Sequence, residues 1–179
     1  MISGNLFNKV TFFLFLSLAL LTCSARAASS LTLYIPNIPG DGITNSITVY
    51  SFSLGVSTPP PPIGGGGASK PDFSDLNLMK ALDSASSPLM FNSAMGTTLN
   101  NVVLTYINEF GKPAYSITLN NVTVTSVQVS GSDGGGTPTE SISLHFQSIQ
   151  WSYQKYTVTG QPVGSPITHT WNLATNTGT

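Results

Sequence analysis

Cysteine and positive charge are almost missing from this sequence. The 179 residues include one cysteine, six lysines and arginines and seven acidic residues, so charged residues make up only 7% of the chain. A chain with so few cations lacks the electrostatic footprint of a nucleic-acid-binding protein and the basic patch that binds anionic lipid. Serine, threonine and asparagine take the place of charge. Such a weakly charged surface favours association between protein molecules.

The first 27 residues have the pattern of a secretory signal peptide. Lys9 precedes an apolar run over residues 10–24, and Ala25 and Ala27 supply the small residues of a cleavage site. The apolar run is too short for a comfortable membrane span of about 20 residues. We therefore predict cleavage after Ala27, a secreted or periplasmic protein, and no stable membrane insertion. Cys23 loosely resembles a lipoprotein site, so lipid anchoring is the alternative.

Removal of this segment leaves a chain without cysteine. Taking 27 residues from 179 leaves 152, which suits a single domain over residues 28–179 that needs no disulfide or metal to fold. Disulfides, thiol nucleophiles and cysteine metal sites are excluded from the mature chain. Its four lysines and seven acids give a net charge of −3.

Apolar alternation predicts that strands dominate the chain. Residues 46–56 carry apolar side chains on both faces, which predicts one long strand covered by its own core on one side and by another surface on the other. In the next strand Leu76 and Leu78 alternate, and Lys80 lies on the same face as these leucines. A hairpin is predicted to turn over residues 108–113, where Gly111 suits the turn.

One segment favours a helix and one favours a long loop. Ser87 suits the cap of the helix, Pro88 its first position and Gly96 the position after its end. Residues 57–71 hold four prolines and then four glycines, which predicts a surface loop. Glycines precede Lys70, but the phosphate-loop pattern is absent. Seven or eight strands and one short helix indicate an antiparallel barrel or sandwich.

The stretch TPTESISLHFQSIQWSYQKY, residues 137–156, changes its apolar face midway. Ile142 and Phe146 share one face, whereas Ile149 and Trp151 fall on what had been the polar face. We predict a bend or bulge near Gln147 and Ser148, where the strand passes into another packing environment. The same change of phase occurs at Asn120 and Asn121 and predicts a second bend or bulge.

Residues that could carry catalysis or bind metal are sparse. His145 and His169 lie in separate predicted strands, without the spacing of a metal site, and no nucleophile elbow accompanies the many serines. Asp72, Asp75 and Glu140 are the acids from which a glycosidase pair would have to come. Their positions favour solvated charges at turns and strand ends. We therefore predict no catalytic, cofactor-binding or metal-binding residue, and no cofactor.

Two aromatic residues and one asparagine have alternative interpretations. Trp151 and Tyr153 could stack against sugars, but aromatic side chains on a strand more often belong to a core or a subunit interface. Asn121 begins the sequence Asn-Val-Thr, a formal glycosylation site that matters only in a eukaryotic secretory route.

Five segments stand in a fixed order along the chain: IPNIPGDG, YSFSLGVSTP with its glycine-rich loop, FSDLNLMKALDSASSPLMFNSAMG, PTESISLHFQSIQWSYQKY and THTWNLATNT. Together they resemble the Hcp family, the tube proteins of the bacterial type VI secretion system. In the fourth, the residues at the family's spacing are Pro138, Thr139, Glu140, Ile149, Trp151 and Tyr153. In the fifth, Thr170 and Asn172 replace the family's glycine and aspartate.

The resemblance implies a mainly β fold, an antiparallel two-sheet β-barrel with one short α-helix on its side. It further implies a homo-hexameric ring, rings that stack into a tube, and small effector proteins and secretion-machine tip or sheath proteins as partners. It implies no catalysis. Family members are made in the cytoplasm without a signal peptide, so an exported β-barrel binding module, either an adhesin or a glycan binder, is the alternative function.

Overall fold

The computed structural model describes residues 26–60, 63–64 and 69–179. Most of the predicted signal peptide, including Cys23, and parts of the predicted loop over 57–71 lie outside these ranges. Within these ranges one α-helix, α1, spans Ser86–Met95, and a 3-10 turn spans Ile43–Asn45. The strands are β1 Ser30–Tyr34, β2 Ile47–Val49, β3 Ser51–Ser53, β4 Val56–Ser57, β5 Asp72–Phe73, β6 Leu76–Ala81, β7 Thr98–Leu99, β8 Val102–Ile107, β9 Pro113–Asn120, β10 Val122–Ser130, β11 Thr139–His145, β12 Ser148–Tyr153, β13 Ile167–Asn172 and β14 Thr177–Gly178.

Two antiparallel sheets face each other across one core. The seven-stranded sheet has the order β14-β13-β12-β9-β8-β1-β2, and the five-stranded sheet has the order β3-β6-β11-β10-β7. The predicted fold class, a mainly β antiparallel two-sheet barrel with one short helix, is confirmed. The largest fully buried apolar side chains come from both sheets and α1; they are Leu33, Ile47, Leu76, Leu78, Leu89, Ile117, Leu119, Ile142, Leu144, Phe146 and Ile149.

At sharp corners the chain passes from one sheet to the other with no long loop between the two strands. The run from β11 to β12 bends at Phe146 and Gln147, which confirms the bend predicted from the change of phase. The second predicted bend is also confirmed, at Asn121 between β9 and β10. The prediction of seven or eight strands was too low, because corners divide several apolar runs into two strands and because β4, β5, β7 and β14 are strands of only two residues.

Asparagine side chains stabilise two of these corners. Asn101 and Asn121 have φ angles of 54° and 50°, the left-handed conformation that asparagine tolerates better than most residues. The Asn101 amide donates to Asn120 Oδ1 at 3.1 Å, and the Asn121 amide donates to Asn100 Oδ1 at 3.0 Å. These reciprocal bonds lock the β7–β8 corner to the β9–β10 corner.

The prediction of one continuous strand over residues 46–56 is wrong. The chain turns at Tyr50, so the segment divides into β2, β3 and the start of β4. Ile47 and Val49 are buried in the core, whereas every residue of β3 is exposed. Tyr50 and Phe52 therefore present apolar surface to the exterior.

The helix starts earlier than its sequence suggests. It begins at Ser86, and no side chain caps its N-terminus at Ala85, so the prediction of Ser87 as the cap is wrong. Its end is as predicted, because Gly96 adopts the left-handed conformation with φ 64°. Leu89 packs into the core, while Met90, Phe91 and Met95 are exposed. No helix in the described ranges is long and apolar enough to cross a membrane.

Candidate functional site

A lysine and a glutamate form an ion pair inside the core. Lys80 on β6 and Glu140 on β11 are direct cross-strand partners, and both are only 1% exposed. Lys80 Nζ lies 2.6 Å from Glu140 Oε2. Lysine and glutamate are almost never fully buried unless they are paired, because each charge loses its hydration on burial. The alternation that places Leu76 and Leu78 in the core places Lys80 there too.

The turn before α1 completes this buried network. Lys80 Nζ also lies 2.5 Å from Asp83 Oδ1 and donates to Ser86 Oγ at 3.0 Å. The Ser86 hydroxyl donates to Glu140 Oε2 at 2.8 Å and accepts from the Asp83 amide at 2.9 Å. Asp83 Oδ1 in turn accepts from the Ala85 amide at 2.9 Å. The network therefore joins β6, β11 and the first turn of α1.

The prediction that Glu140 is a solvated strand-end charge is wrong. Its position alternates with Ile142 and Leu144, so its side chain enters the core between the two sheets. The other two acids follow the prediction more closely, since Asp72 is exposed and Asp75 is half-buried. The signal that could have identified the network was Lys80 on an apolar face, because a buried ammonium group requires a carboxylate partner.

His145 belongs to a separate cluster at the surface. Its Nδ1 lies 3.0 Å from Asp75 Oδ1, and Thr125 Oγ1 donates to Asp75 Oδ2 at 2.7 Å. The His145 side chain is more than half exposed. His169 is exposed on β13, in the other sheet. In the described part of the chain, no group of three or more His, Cys, Asp or Glu side chains could hold a metal ion.

Trp151 and Tyr153 share a strand face but differ in their surroundings. The Trp151 ring stacks on Phe73 with 6.0 Å between the ring centroids and is half-buried against the core. Tyr153, two residues further along β12, is 49% exposed. Trp151 is therefore a packing residue, whereas the Tyr153 ring is available to a partner.

Tyr153 ends a row of three tyrosines on neighbouring strands. Tyr106 on β8 pairs directly with Tyr115 on β9, which pairs directly with Tyr153 on β12. Burial raises the pKa of the Tyr115 hydroxyl above its usual value. We call Tyr106, Tyr115 and Tyr153 the tyrosine row. From the sequence alone only Tyr153 could be singled out, because the row depends on the register of three strands.

Two surface hollows adjoin the tyrosine row. Tyr106 and Tyr153 line one hollow of about 740 Å³, together with Arg26 and Glu109, whose side chains are 2.7 Å apart. Tyr106 and Tyr115 line a second hollow of about 600 Å³. The lining of the second hollow consists only of uncharged residues: Ser29, Ser30, Leu31, Thr48, Val49, Tyr50, Phe52, Tyr106 and Tyr115.

Comparison with known proteins identifies the family. The family model described as "Type VI secretion system effector, Hcp" matches residues 37–153, more than half of the chain. The chain belongs to the Hcp family. A curated Hcp relative, Protein hcp1 from Pseudomonas aeruginosa, is 34% identical over 110 residues, which cover 60% of this chain and 68% of that protein.

Solved Hcp structures share the fold. A structure described as a type six secretion system protein superposes with a TM-score of 0.78 at 23% identity, covering 85% of this chain and 100% of that one. Hcp1 from Salmonella typhimurium superposes with a TM-score of 0.70 at 22% identity, covering 85% and 99%. The residues of the buried Lys80–Glu140 network all lie within residues 37–153, the part of the chain that matches the Hcp family model.

Proposed function

We propose that this Hcp-family protein is a non-enzymatic structural subunit that forms hexameric rings, which stack into a tube and carry or chaperone small effector proteins. The observation that carries the proposal is the family match over residues 37–153 together with a fold that covers the whole of a type VI secretion protein. Tip or sheath proteins of the secretion machine are the further partners we propose.

The surface chemistry supports assembly. A closed ring of identical subunits needs two different surfaces that meet head to tail. Exposed apolar residues occur on β3 and its corner, with Tyr50 and Phe52, and separately on α1, with Phe91 and Met95. Little charge is available to keep such surfaces apart, because the predicted mature chain has four lysines and seven acids.

The arrangement of polar residues supports a structural role rather than catalysis. Lys80, Asp83, Ser86 and Glu140 bond to one another inside the fold and connect a helix to a sheet, and Glu140 Oε1 is the one oxygen of the pair left without a hydrogen-bond partner. The hollows beside the tyrosine row are lined by other residues. We therefore propose that the network stabilises the protomer and that the chain has no catalytic, cofactor or metal site.

We further propose export through a signal peptide cleaved after Ala27, which leaves a domain over residues 28–179 with a loop over residues 57–71. Mass spectrometry of the secreted or periplasmic protein tests this, since the mature N-terminus is expected at Ala28. A chain recovered with Met1 intact would contradict the export proposal, and a lipid-modified Cys23 would show anchoring instead.

The tyrosine row gives some support to the alternative function, an exported adhesin or glycan binder. Tyrosine rings can stack on neutral sugars, and Tyr153 is the aromatic residue of β12 that remains accessible. A glycan array tests this alternative. Binding that is lost in Tyr153→Ser, with the fold intact and without any hexamer, would favour the glycan binder over the tube subunit.

A further inference from the structure

The tyrosine row lies on the core-bearing face of the seven-stranded sheet, beyond the end of the core. Tyr115 alternates with the buried residues Ile117 and Leu119, and Tyr153 alternates with the buried Ile149. Directly paired residues of antiparallel strands project from the same face of a sheet. Tyr106 and Tyr153, at the two ends of the row, are 38% and 49% exposed, and Phe52 of the second sheet lines the hollow beside Tyr106 and Tyr115.

The spacing of the row matches a polyproline helix. Three neighbouring strands place Tyr106 and Tyr153 about 9.5 Å apart, which is two inter-strand distances. A polyproline II helix repeats every three residues, or about 9.3 Å. A helix of this kind lying across the strands would therefore present a proline to each end of the row. Proline-rich peptides dock in this way on grooves lined by aromatic rings.

The chemistry on one side of the row favours an uncharged ligand, whereas Arg26 and Glu109 line the hollow on the other side. Leu31 and Tyr50 line the hollow beside Tyr106 and Tyr115, and no charged side chain lines it. Proline rings are uncharged, and a polyproline segment is already ordered before it binds, so little conformational entropy is lost on docking.

This chain contains a segment with the required chemistry. Residues 59–62 are four consecutive prolines, and they follow β4. Pro59 and Pro60 are exposed, and neither lines the two hollows beside the row. β5, the strand that follows the proline-containing loop, lies next to the row, because its Phe73 stacks on Trp151, two residues before Tyr153. The described prolines of one chain are thus free to meet another copy.

We propose that the tyrosine row binds the proline run 59–62 of a second copy of this chain. The contact would link protomers through a peptide-in-groove interaction, in addition to the apolar surfaces of β3 and α1. The proposal deepens the proposed assembly and rests on it. Its test is a peptide titration, which reports on the groove whether or not rings form.

The experiment titrates the full chain with a fluorescently labelled peptide of residues 57–65, STPPPPIGG, followed by fluorescence anisotropy. Saturable binding is expected. Tyr106→Ser and Tyr153→Ser are each expected to weaken it about tenfold, as the loss of an aromatic anchor does at an interface. Tyr34→Ser is the matched control, because Tyr34 is an exposed tyrosine of the same sheet that lies outside the row. The peptide STAAAAIGG should not bind.

Circular dichroism and thermal unfolding of each variant establish that the fold is retained. Failure of STPPPPIGG to bind the folded wild-type chain would overturn the proposal, including the case in which the chain's own prolines fill the groove. Equal binding by the alanine peptide or by Tyr153→Ser would overturn it too, as would tyrosine-dependent binding of neutral oligosaccharides in place of the peptide. Light scattering on the same samples measures independently whether rings form. A loss of peptide binding can therefore be distinguished from a failure of ring assembly.

Discussion

Lys80 and Glu140 face each other across neighbouring strands, and their charged groups meet 2.6 Å apart within the core. Taking two charges out of water costs several kcal/mol per ion, and their mutual attraction offsets this cost only if the remaining polar atoms find partners. Asp83 and Ser86 supply partners to Lys80 Nζ and Glu140 Oε2 from the turn that starts α1, whereas the buried Glu140 Oε1 has no hydrogen-bond partner. The pair therefore makes the position of the helix depend on the pairing of β6 with β11.

Removing the lysine alone should destabilise the protomer strongly. Lys80→Met leaves Glu140 and Asp83 without their counter-ion in a buried site, so we expect a loss of about 3–5 kcal/mol in the free energy of unfolding. Urea denaturation measures this. The double variant Lys80→Met, Glu140→Met should recover part of the loss, because one uncompensated buried charge is then removed.

Lys155→Met is the matched control, since Lys155 is exposed. Its effect should stay within about 0.5 kcal/mol, as for most surface substitutions. A Lys80→Met protein as stable as Lys155→Met would contradict the assignment of Lys80 to a buried ion pair.

Two neighbouring serines should differ sharply in their contribution to stability. Ser86→Ala removes a hydroxyl that bonds Glu140, Lys80 and the Asp83 amide, so we expect a loss of about 1–3 kcal/mol. Ser87→Ala is expected to have little effect, because Ser87 is exposed and does not cap the helix. Thermal unfolding of the two variants measures the difference. A larger loss of stability in Ser87→Ala than in Ser86→Ala would indicate that Ser87 caps the helix and would contradict the network.

The corner at Asn121 should tolerate glycine better than alanine. Its φ of 50° is the left-handed conformation, which costs most residues roughly 1–2 kcal/mol and glycine little. We therefore expect Asn121→Ala to unfold at a lower urea concentration than Asn121→Gly. Both variants lose the bond to Gln147 Oε1, so the comparison isolates the backbone conformation. Equal stability of the two proteins would show that the corner is unstrained in solution.

Side-chain periodicity predicted the fold class and two of the corners because both depend on local information. At Asn121 and Gln147 the apolar residues change from one side of the strand to the other, which can be seen in the sequence alone. The change occurs because the chain passes there from one sheet to the other. The same periodicity placed Lys80 inward beside Leu78.

Pairing between distant strands could not be predicted in the same way. Lys80 and Glu140 are 60 positions apart, and nothing local to Glu140 shows which strand lies beside it, so the acid was taken for a solvated charge. The tyrosine row depends likewise on the register of β8, β9 and β12. The error at residues 46–56 has another cause, because a corner at Tyr50 divides one apolar run between two strands in different sheets.

The mass of the assembled protein tests the central proposal most directly. Size-exclusion chromatography with multi-angle light scattering on the exported protein should give six times the protomer mass at high concentration, and electron microscopy of that fraction should show rings. A strict monomer across the whole concentration range would contradict the account of this Hcp-family chain as a ring-forming subunit.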